Sequence, residues 1–124
     1  MSAHDINISV RTRYLPGQSQ PGQRRFAFAY EITIANRGTA TVQLIARHWV
    51  IVDAHDQTQE VRGLGVVGEQ PRIEPGQSYR YTSGVVLGTG HGTMTGSCRM
   101  RGDGGAEFDA TVPLFLLAAP GTVH

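Results

Sequence analysis

The sequence predicts an all-β fold, an antiparallel sandwich of about seven short strands. Apolar and polar residues alternate along short segments, as is typical of strands that bury one face. Glycine, proline and asparagine separate these segments, and none of them shows the 3.6-residue period of an amphipathic helix. Cys98 is the only cysteine, so the disulfide of antibody domains is absent. An immunoglobulin-like sandwich of the fibronectin type III-like kind therefore fits best.

Size and composition predict one globular domain. The chain has 124 residues, within the usual size of a domain. We expect this domain to span residues 1–124, with an ordered core over about residues 5–118. Hydrophobic residues make up 40% of the chain and charged residues 17%, a balance typical of globular proteins. The longest apolar run, Val112 to Ala119, is too short to cross a bilayer.

Charge and targeting signals bear on partners and location. The formal net charge is +1, so no overall field attracts nucleic acid or anionic lipid. No charged-then-apolar signal opens the chain, and the lone thiol fits a reducing compartment. We therefore expect a cytoplasmic protein that binds neither nucleic acid nor membranes. We expect it to be a monomer or a weak homodimer.

The first third of the chain predicts two strands joined by a loop. The apolar set of the first strand is Ile6, Ile8, Val10 and Tyr14. Leu15 to Gln23 holds two Pro-Gly pairs among polar residues and predicts the loop. The second strand has the clearest alternation, with an apolar set of Phe26, Phe28, Tyr30, Ile32 and Ile34. Asn36-Arg37-Gly38 then supplies a turn, because asparagine and glycine tolerate positive φ.

From Val42 to Val52, apolar residues occupy both odd-numbered and even-numbered positions, so neither face of a strand here would be purely polar. This pattern indicates a central strand covered on both faces, or a strand that carries a bulge. We expect Trp49 to anchor the core. Asp53 to Gln57 predicts a turn, and Thr58 to Val61 predicts a short strand.

The stretch from Val61 to Gly96 holds nine of the 16 glycines. Within it, Glu74 to Gln77 predicts a turn, Ser78 to Val86 a strand and Leu87 to Gly92 a further turn. The next strand has an inward set of Met94, Cys98 and Met100. Gly102 to Gly105 then predicts a hairpin to the last strand. Because proline lacks an N–H donor, Pro113 predicts that the last strand lies at an edge or carries a bulge.

Gly63 to Gly68 fits G-x-G-x-x-G, the dinucleotide-binding fingerprint. That fingerprint works at a helix N-terminus, where backbone N–H groups approach a pyrophosphate. Pro71 and Pro75 follow too closely for a helix, and no strand–helix–strand unit surrounds the glycines. A Rossmann-type site is therefore excluded.

Glycine-rich backbone can also bind an anion without a helix, through a nest of N–H groups. The candidate phosphate or nucleotide site consists of Arg62, Gly63, Gly65, Gly68 and Arg72. The alternative is that these glycines only permit bulges or positive φ where two strands cross closely.

Metal-binding and catalytic residues do not form a convincing set. His48 and His55 are seven residues apart, which places them on opposite faces of a regular strand, and the pair Asp53 and His55 would make a weak site. We expect Cys98 to be a buried, inert thiol. No nucleophile has a base at a defensible spacing. We therefore predict no metal site, no cofactor, no catalytic residues and no enzyme activity.

Outward-facing arginines form a candidate interaction surface. Arg99 and Arg101 project from one strand, and Arg11 and Arg13 from the first strand. If those strands lie close, the four side chains make a donor-rich patch for a carboxylate-bearing partner. The alternatives are a merely soluble sheet face, or an exposed edge that accepts a partner strand.

Four collinear stretches resemble the ApaG family. They are RHWVIVDA (47–54), GVVGEQPRIEPGQSYRYTSG (65–84), GTMTGSCRM (92–100) and FDATVPLFLLAAP (108–120). The resemblance covers nearly the whole chain, and departures lie mainly in the loop from Leu15 to Gln23 and at the two tails. It implies an immunoglobulin-like or fibronectin type III-like sandwich.

The resemblance also implies a class of function. Similar domains are fused to F-box proteins and to a protein that interacts with DNA polymerase delta, which implies a protein-interaction module. Bacterial relatives have been associated with cobalt and magnesium tolerance, and no catalytic residues carry over. We therefore predict a non-enzymatic binding module for a protein partner. The alternative is phosphate or nucleotide binding through Gly63 to Gly68.

Overall fold

The computed structural model describes residues 4–121, which form two antiparallel β-sheets packed face to face. The strands are β1 (Ile6–Tyr14), β2 (Phe26–Asn36), β3 (Val42–Asp53), β4 (Thr58–Leu64), β5 (Arg72–Ile73), β6 (Ser78–Leu87), β7 (His91–Gly102) and β8 (Glu107–Ala118). The predicted β-sandwich is confirmed, with seven longer strands and the two-residue β5. The finer fibronectin type III-like assignment stays a prediction.

Helical structure in residues 4–121 is limited to two short 3-10 turns, Pro16–Gln18 and Pro21–Gln23. Both lie in the segment from Leu15 to Gln23 that the sequence predicts as a loop. Among the residues described, no helix has the length and apolar character needed to span a membrane.

The strand order separates the early and late parts of the chain. The three-stranded sheet has the order β1-β2-β6, and the five-stranded sheet has the order β4-β3-β7-β8. The short β5 pairs with the start of β3, through Val42 and Ile73, on the same side as β4. On one side of the sandwich β1 and β8 approach each other, where the Thr12 hydroxyl donates to the Leu116 carbonyl at 3.5 Å.

The hydrophobic core lies between the inward faces of the two sheets, and the predicted inward sets of β1, β2 and β7 line it. Fully buried members include Phe28, Ile32, Ile34, Leu44, Met94, Cys98, Met100, Val112 and Leu117. Trp49 is 2% exposed and contacts the rings of Tyr30 and Phe115 edge-on, at centroid distances of 5.5 and 5.9 Å. It therefore anchors the core, as predicted.

A bulge explains why β3 is apolar at both parities. The pairing of β3 with β7 shifts between Leu44 and Ala46, so Ile45 is an extra residue on β3. Because side chains alternate with a period of two, one extra residue reverses which parity faces the core. Leu44 is buried before the bulge and Trp49 after it. Of the two alternatives for this strand, the structure shows the bulge.

A second bulge lies at the proline of β8. Met94 pairs with Phe115, and Gly96 with Val112, so Pro113 and Leu114 stand opposite Thr95 alone. The strand β8 is also the last in its sheet. Pro113 therefore occupies an edge strand at a bulge, where its missing N–H costs no ladder bond.

Asn36 closes the turn after β2 from inside the protein. Its side chain is 1% exposed, and its Nδ2 donates to the carbonyls of Ala40 and Ile73, both at 2.9 Å. Its Oδ1 accepts from the Gly38 N–H at 3.0 Å. The side chain thus ties the turn to β5, and every polar atom of the buried amide group has a partner.

Candidate functional site

The outward side chains of the five-stranded sheet form the surface that we call the five-strand face. Register places them in rows across the strands. The rows are Arg72–Gln43–Arg101–Glu107, Leu64–Ala46–Arg99–Asp109 and Arg62–His48–Ser97–Thr111. The structure therefore brings together Arg62 and Arg72 from the candidate phosphate site with Arg99 and Arg101 from the candidate interaction surface.

Each of these four arginines already has an acidic partner. Arg101 bonds Glu107 at 2.7 Å, Arg99 bonds Glu107 and Asp109 at 3.4 and 3.3 Å, Arg72 bonds Asp103 at 3.4 Å, and Arg62 bonds Glu60 at 3.5 Å. The hydrogen bond from Arg101 is the main cause that lowers the pKa of the Glu107 carboxyl. Four guanidinium groups thus face four carboxylates, so this face carries charge of both signs.

A groove of about 470 Å³ lies on this face. The residues that line it include Arg62, Gly63, His48, Ser97 and Arg99. The His48 Nε2 lies 3.7 Å from Glu60 Oε2, beyond hydrogen-bond distance. The groove therefore combines guanidinium, imidazole and hydroxyl groups with the carboxylates beside them.

The other end of the five-strand face is apolar. Leu114 and Leu116, after the bulge in β8, are 65% and 49% exposed. Leu116 pairs with Thr93, which pairs with Val52 of β3, and Val50 lies in the next row. One continuous sheet surface thus passes from an apolar end to a charged end.

Three backbone donors of the glycine turn after β4 bond to carbonyls of the protein itself. The Gly65 N–H donates to the Ile45 carbonyl at 2.8 Å. The Val66 N–H donates to the Glu69 carbonyl at 2.8 Å, and the Glu69 N–H donates back to the Val66 carbonyl at 2.9 Å. Gly65 and Gly68 have φ of 62° and 80°, and Val66 is fully buried. Because a Cβ on Gly65 would lie 2.2 Å from the Glu69 carbonyl oxygen, that glycine is required by the turn itself.

Gly63 serves a different purpose, because it makes room for Arg47. It pairs with Arg47 across β3 and β4, on the inward side of the sheet. The Arg47 Nη1 donates to the carbonyls of Leu64 and Gly65 at 3.2 and 2.8 Å. This guanidinium therefore fastens the glycine turn to β3. The prediction of a phosphate nest stays a prediction, and these contacts give the glycines a conformational role as well.

Arg11 and Arg13 lie elsewhere, on the outward side of the three-stranded sheet, which we call the three-strand face. They pair in register with Glu31 and Ala29 of β2. Because the two sheets pack through their inward faces, this surface points away from the five-strand face. The structure therefore does not bring Arg11 and Arg13 together with Arg99 and Arg101.

The residues considered for metal binding and nucleophilic chemistry have structural contacts. Asp53 Oδ1 accepts from the N–H groups of His55 and Gln57 at 2.8 and 3.0 Å and closes the turn after β3. Residues 4–121 contain no group of three or more His, Cys, Asp or Glu side chains placed to hold a metal ion. Cys98 is fully buried, and burial raises the pKa of its thiol to about 11. That thiol is neutral at physiological pH.

Comparison with known proteins defines the family. The ApaG domain matches residues 16–102 of this chain. A protein named ApaG from Pseudomonas paraeruginosa is 58% identical over 121 residues, which cover 98% of this chain and 96% of that protein. The chain belongs to the ApaG family. An ApaG protein from Thiobacillus denitrificans is 55% identical, over 98% of this chain and 95% of its own length.

A solved structure agrees with the family assignment. The crystal structure of a Bordetella pertussis protein described as ApaA superposes with a TM-score of 0.93 at 47% identity, covering 96% of this chain and 97% of that chain. The ApaG domain match includes the glycine turn, Arg62, Arg72, Arg99 and Arg101, whereas β1 and β8 lie outside it.

Some residues of this ApaG chain were missed by sequence reasoning. Arg47 was not singled out, although it shares the inward parity of Trp49, and a lone arginine at an inward position of an apolar strand is a usable signal. Leu114 and Leu116 were likewise not singled out, because they lie within the apolar run from Val112 to Ala119. Their exposure depends on the bulge at Pro113, whose effect on parity follows only once the register is known.

Proposed function

We propose that this ApaG-family chain is a non-enzymatic binding module that docks a protein partner on its five-strand face. The observation that carries the proposal is the continuity of exposed Leu114 and Leu116 with the arginine–carboxylate pairs of the same sheet surface. Protein interfaces combine an apolar centre with a polar rim rich in arginine. Large exposed apolar side chains in one patch mark interaction sites.

The charged end of the five-strand face supports the same proposal, because its positive and negative charges are balanced. Exposed ion pairs contribute about 0–1 kcal/mol each, so a partner replaces them with its own groups at little cost. A face with charges of both signs selects a partner with the complementary pattern, because like charges brought together are repelled. A cytoplasmic location would fit this role.

Affinity capture from native lysate tests the proposal. We expect a set of proteins to bind the wild-type chain and to be lost with Leu114→Asp and Leu116→Asp together, and weakened by Arg99→Glu with Arg101→Glu. Val67→Asp, at an exposed valine in the glycine turn, and Arg37→Glu, at an exposed arginine in a distant turn, are the matched controls. If all variants capture the same proteins as the wild type, docking on this face is wrong.

We propose phosphate or nucleotide binding as the second candidate, because Arg62 and Gly63 line the same groove as Arg99, His48 and Ser97. Its test is a titration with pyrophosphate and with ATP, followed by the amide resonances of Gly63, Gly65 and Gly68. Saturable shifts that are lost in Arg62→Gln would support it, and resonances unmoved at millimolar ligand would end it. A link to cobalt and magnesium tolerance, which the family resemblance implies, is tested by growing a deletion strain at raised concentrations of each metal.

A further inference from the structure

Charge is unevenly divided along the chain. The segments 6–36 and 78–87, which form the three-stranded sheet and its loop, contain five arginines and one acidic residue, Glu31. The remainder of the chain contains six arginines and nine acidic residues. The net charge of +1 therefore conceals a cationic three-stranded sheet and loop, whereas the rest of the chain is net negative. A surface of this kind attracts anionic groups locally, although the protein as a whole does not.

Arg24 and Arg25 lie in the loop; among the arginines on the strands of that sheet, Arg11 and Arg13 are the ones with unused donors. Within residues 4–121, neither side chain makes an ion pair or a hydrogen bond, and both are exposed. The third exposed arginine of the sheet, Arg80, has its Nε 3.9 Å from Glu31 Oε1. By contrast, the arginines of the five-strand face are occupied by carboxylates of their own sheet. Arg11 and Arg13 are thus available for an external partner.

Small side chains beside these arginines form a groove. Register places Arg13, Ala29 and Gly84 in one row, and Arg11, Glu31 and Thr82 in the next. The groove holds about 320 Å³ and is lined by Arg11, Thr12, Arg13, Ala29, Glu31 and Thr82. Because Ala29 and Gly84 leave the surface low, a segment of chain fits along the strands beside the two guanidinium groups.

We propose that the three-strand face binds an acidic, extended peptide segment of a partner, with carboxylates two residues apart on Arg11 and Arg13. Arg11 and Arg13 are themselves two residues apart on a strand, which separates them by about 6.5 Å, and an extended peptide repeats its side chains at the same spacing. Guanidinium groups bind carboxylates bidentately and with directional preference. This proposal rests on the proposed function that the domain binds protein, and places a second contact on the opposite side of the sandwich.

Glu31 favours a peptide over a nucleic acid strand. Its carboxylate lies in the same row as Arg11 and next to Thr82, in the middle of the groove. A nucleic acid strand carries negative phosphates along its whole length, so the Glu31 carboxylate repels it. A peptide instead presents backbone N–H groups, which donate hydrogen bonds to a carboxylate. The groove lining also lacks the aromatic rings on which unpaired bases stack.

The test uses the full chain and a fluorescent eight-residue threonine peptide with two aspartates at positions i and i+2. At low salt we expect saturable anisotropy that Arg11→Gln with Arg13→Gln weakens about tenfold, as expected for two exposed ion pairs. Arg99→Gln with Arg101→Gln is the matched control and should leave the affinity unchanged. A peptide with adjacent aspartates should bind more weakly than the i, i+2 probe.

Three results would overturn the proposal. They are no saturable binding of the i, i+2 peptide, an equal loss in both arginine pairs, and tighter binding of an eight-nucleotide single strand than of the peptide. Glu31→Gln further distinguishes a nucleic acid ligand from a peptide ligand, because removal of that carboxylate should strengthen nucleotide binding more than peptide binding. Loss of lysate partners in the Leu114 and Leu116 variant reports on the other face, so the two proposals fail independently.

Discussion

The guanidinium of Arg47 occupies the space that a side chain at Gly63 would need, since a Cβ there would lie 2.8 Å from Arg47 Nη1. The two residues pair across β3 and β4. Gly63→Ala should therefore displace the guanidinium from the Leu64 and Gly65 carbonyls and cost about 1–2 kcal/mol of unfolding free energy. In an Arg47→Ala background the same change should cost less, because no guanidinium is left to displace.

A double-mutant cycle measures this relationship by urea denaturation. We expect a coupling free energy of about 1 kcal/mol between the two positions. Arg47→Ala with Gly17→Ala is the control cycle, because a Cβ on Gly17 meets no atom within 4 Å. Additive costs at Gly63 and Arg47 would contradict the packing described.

Gly96 lies where β3 and β7 leave no room for a side chain. A Cβ there would lie 2.0 Å from the His48 carbonyl oxygen and 3.1 Å from Cε3 of Trp49. Because backbone and a core ring cannot move aside cheaply, Gly96→Ala should cost more than about 3 kcal/mol or prevent folding. Thermal unfolding by circular dichroism measures this, and Gly17→Ala should leave the midpoint nearly unchanged. A Gly96→Ala protein of wild-type stability would show that β3 and β7 lie farther apart.

Stability should fall when the Asn36 side chain is truncated and also when its amide is replaced by a carboxylate. Asn36→Ala removes three hydrogen bonds at a site 1% exposed, and we expect a cost of about 2–4 kcal/mol. Asn36→Asp should be at least as harmful, because a carboxylate cannot donate to the Ala40 and Ile73 carbonyls and would be buried. Denaturant midpoints measure both, with exposed Asn7→Asp as the control. Equal stability of the Asp variant would contradict the burial of this group.

The Tyr81 hydroxyl is buried without a hydrogen-bond partner in the part of the chain that the structure describes. Removal of an unpartnered polar group relieves its desolvation cost, so Tyr81→Phe should keep or raise stability, by up to about 1 kcal/mol. Tyr79→Phe, on the same strand and half-buried, is the comparison. A loss of more than about 1 kcal/mol in Tyr81→Phe would reveal a bond to an ordered water or a bound group.

Stability should fall in alkaline solution because of the buried Cys98 thiol. Burial raises the folded-state pKa from 9.0 to about 11, so the unfolded chain loses its proton first as pH rises. The contribution of the thiol to the free energy of unfolding is complete below about pH 9. It falls by about 2–3 kcal/mol as the pH rises towards about 11. Burial also raises the pKa of Tyr81, which adds a loss of the same sign from about pH 10 upward.

Denaturation at a series of pH values between 8 and 11 checks this expectation. Cys98→Ala should lower stability at neutral pH through its cavity, yet show a shallower decline above pH 9. The native thiol should also react slowly with a thiol reagent at pH 8. Rapid reaction, or identical slopes in both proteins, would contradict a buried neutral Cys98.

Sequence periodicity is sufficient to predict the sandwich because each strand carries its own signal. The alternation around Phe28 and Ile32 and the glycine turns depend only on neighbours in the chain. Pro113 likewise indicates an edge or a bulge through its missing N–H alone. These features are local, so the fold class and most inward positions follow from them.

Pairing between distant strands is not local, and the candidate sites depend on it. The sequence places Arg11 and Arg99 on outward positions, but only the strand order shows that they belong to different sheets. Arg62 and Arg99 share a groove because β4 and β7 flank the same strand, β3. The apolar run in β3 has two explanations until the partner strand shows that Ile45 is the extra residue.

The bulge at Ile45 makes the residue count of β3 as important as its composition. Deletion of this one position would reverse the direction of every later side chain in β3, so that Trp49 would point outward and His48 inward. The loop from Leu15 to Gln23 has no such phase to keep, so it is the place to add a tag, a reporter or a grafted epitope. An engineer who uses this sandwich as a scaffold should therefore lengthen the loop freely and leave the length of the third strand alone.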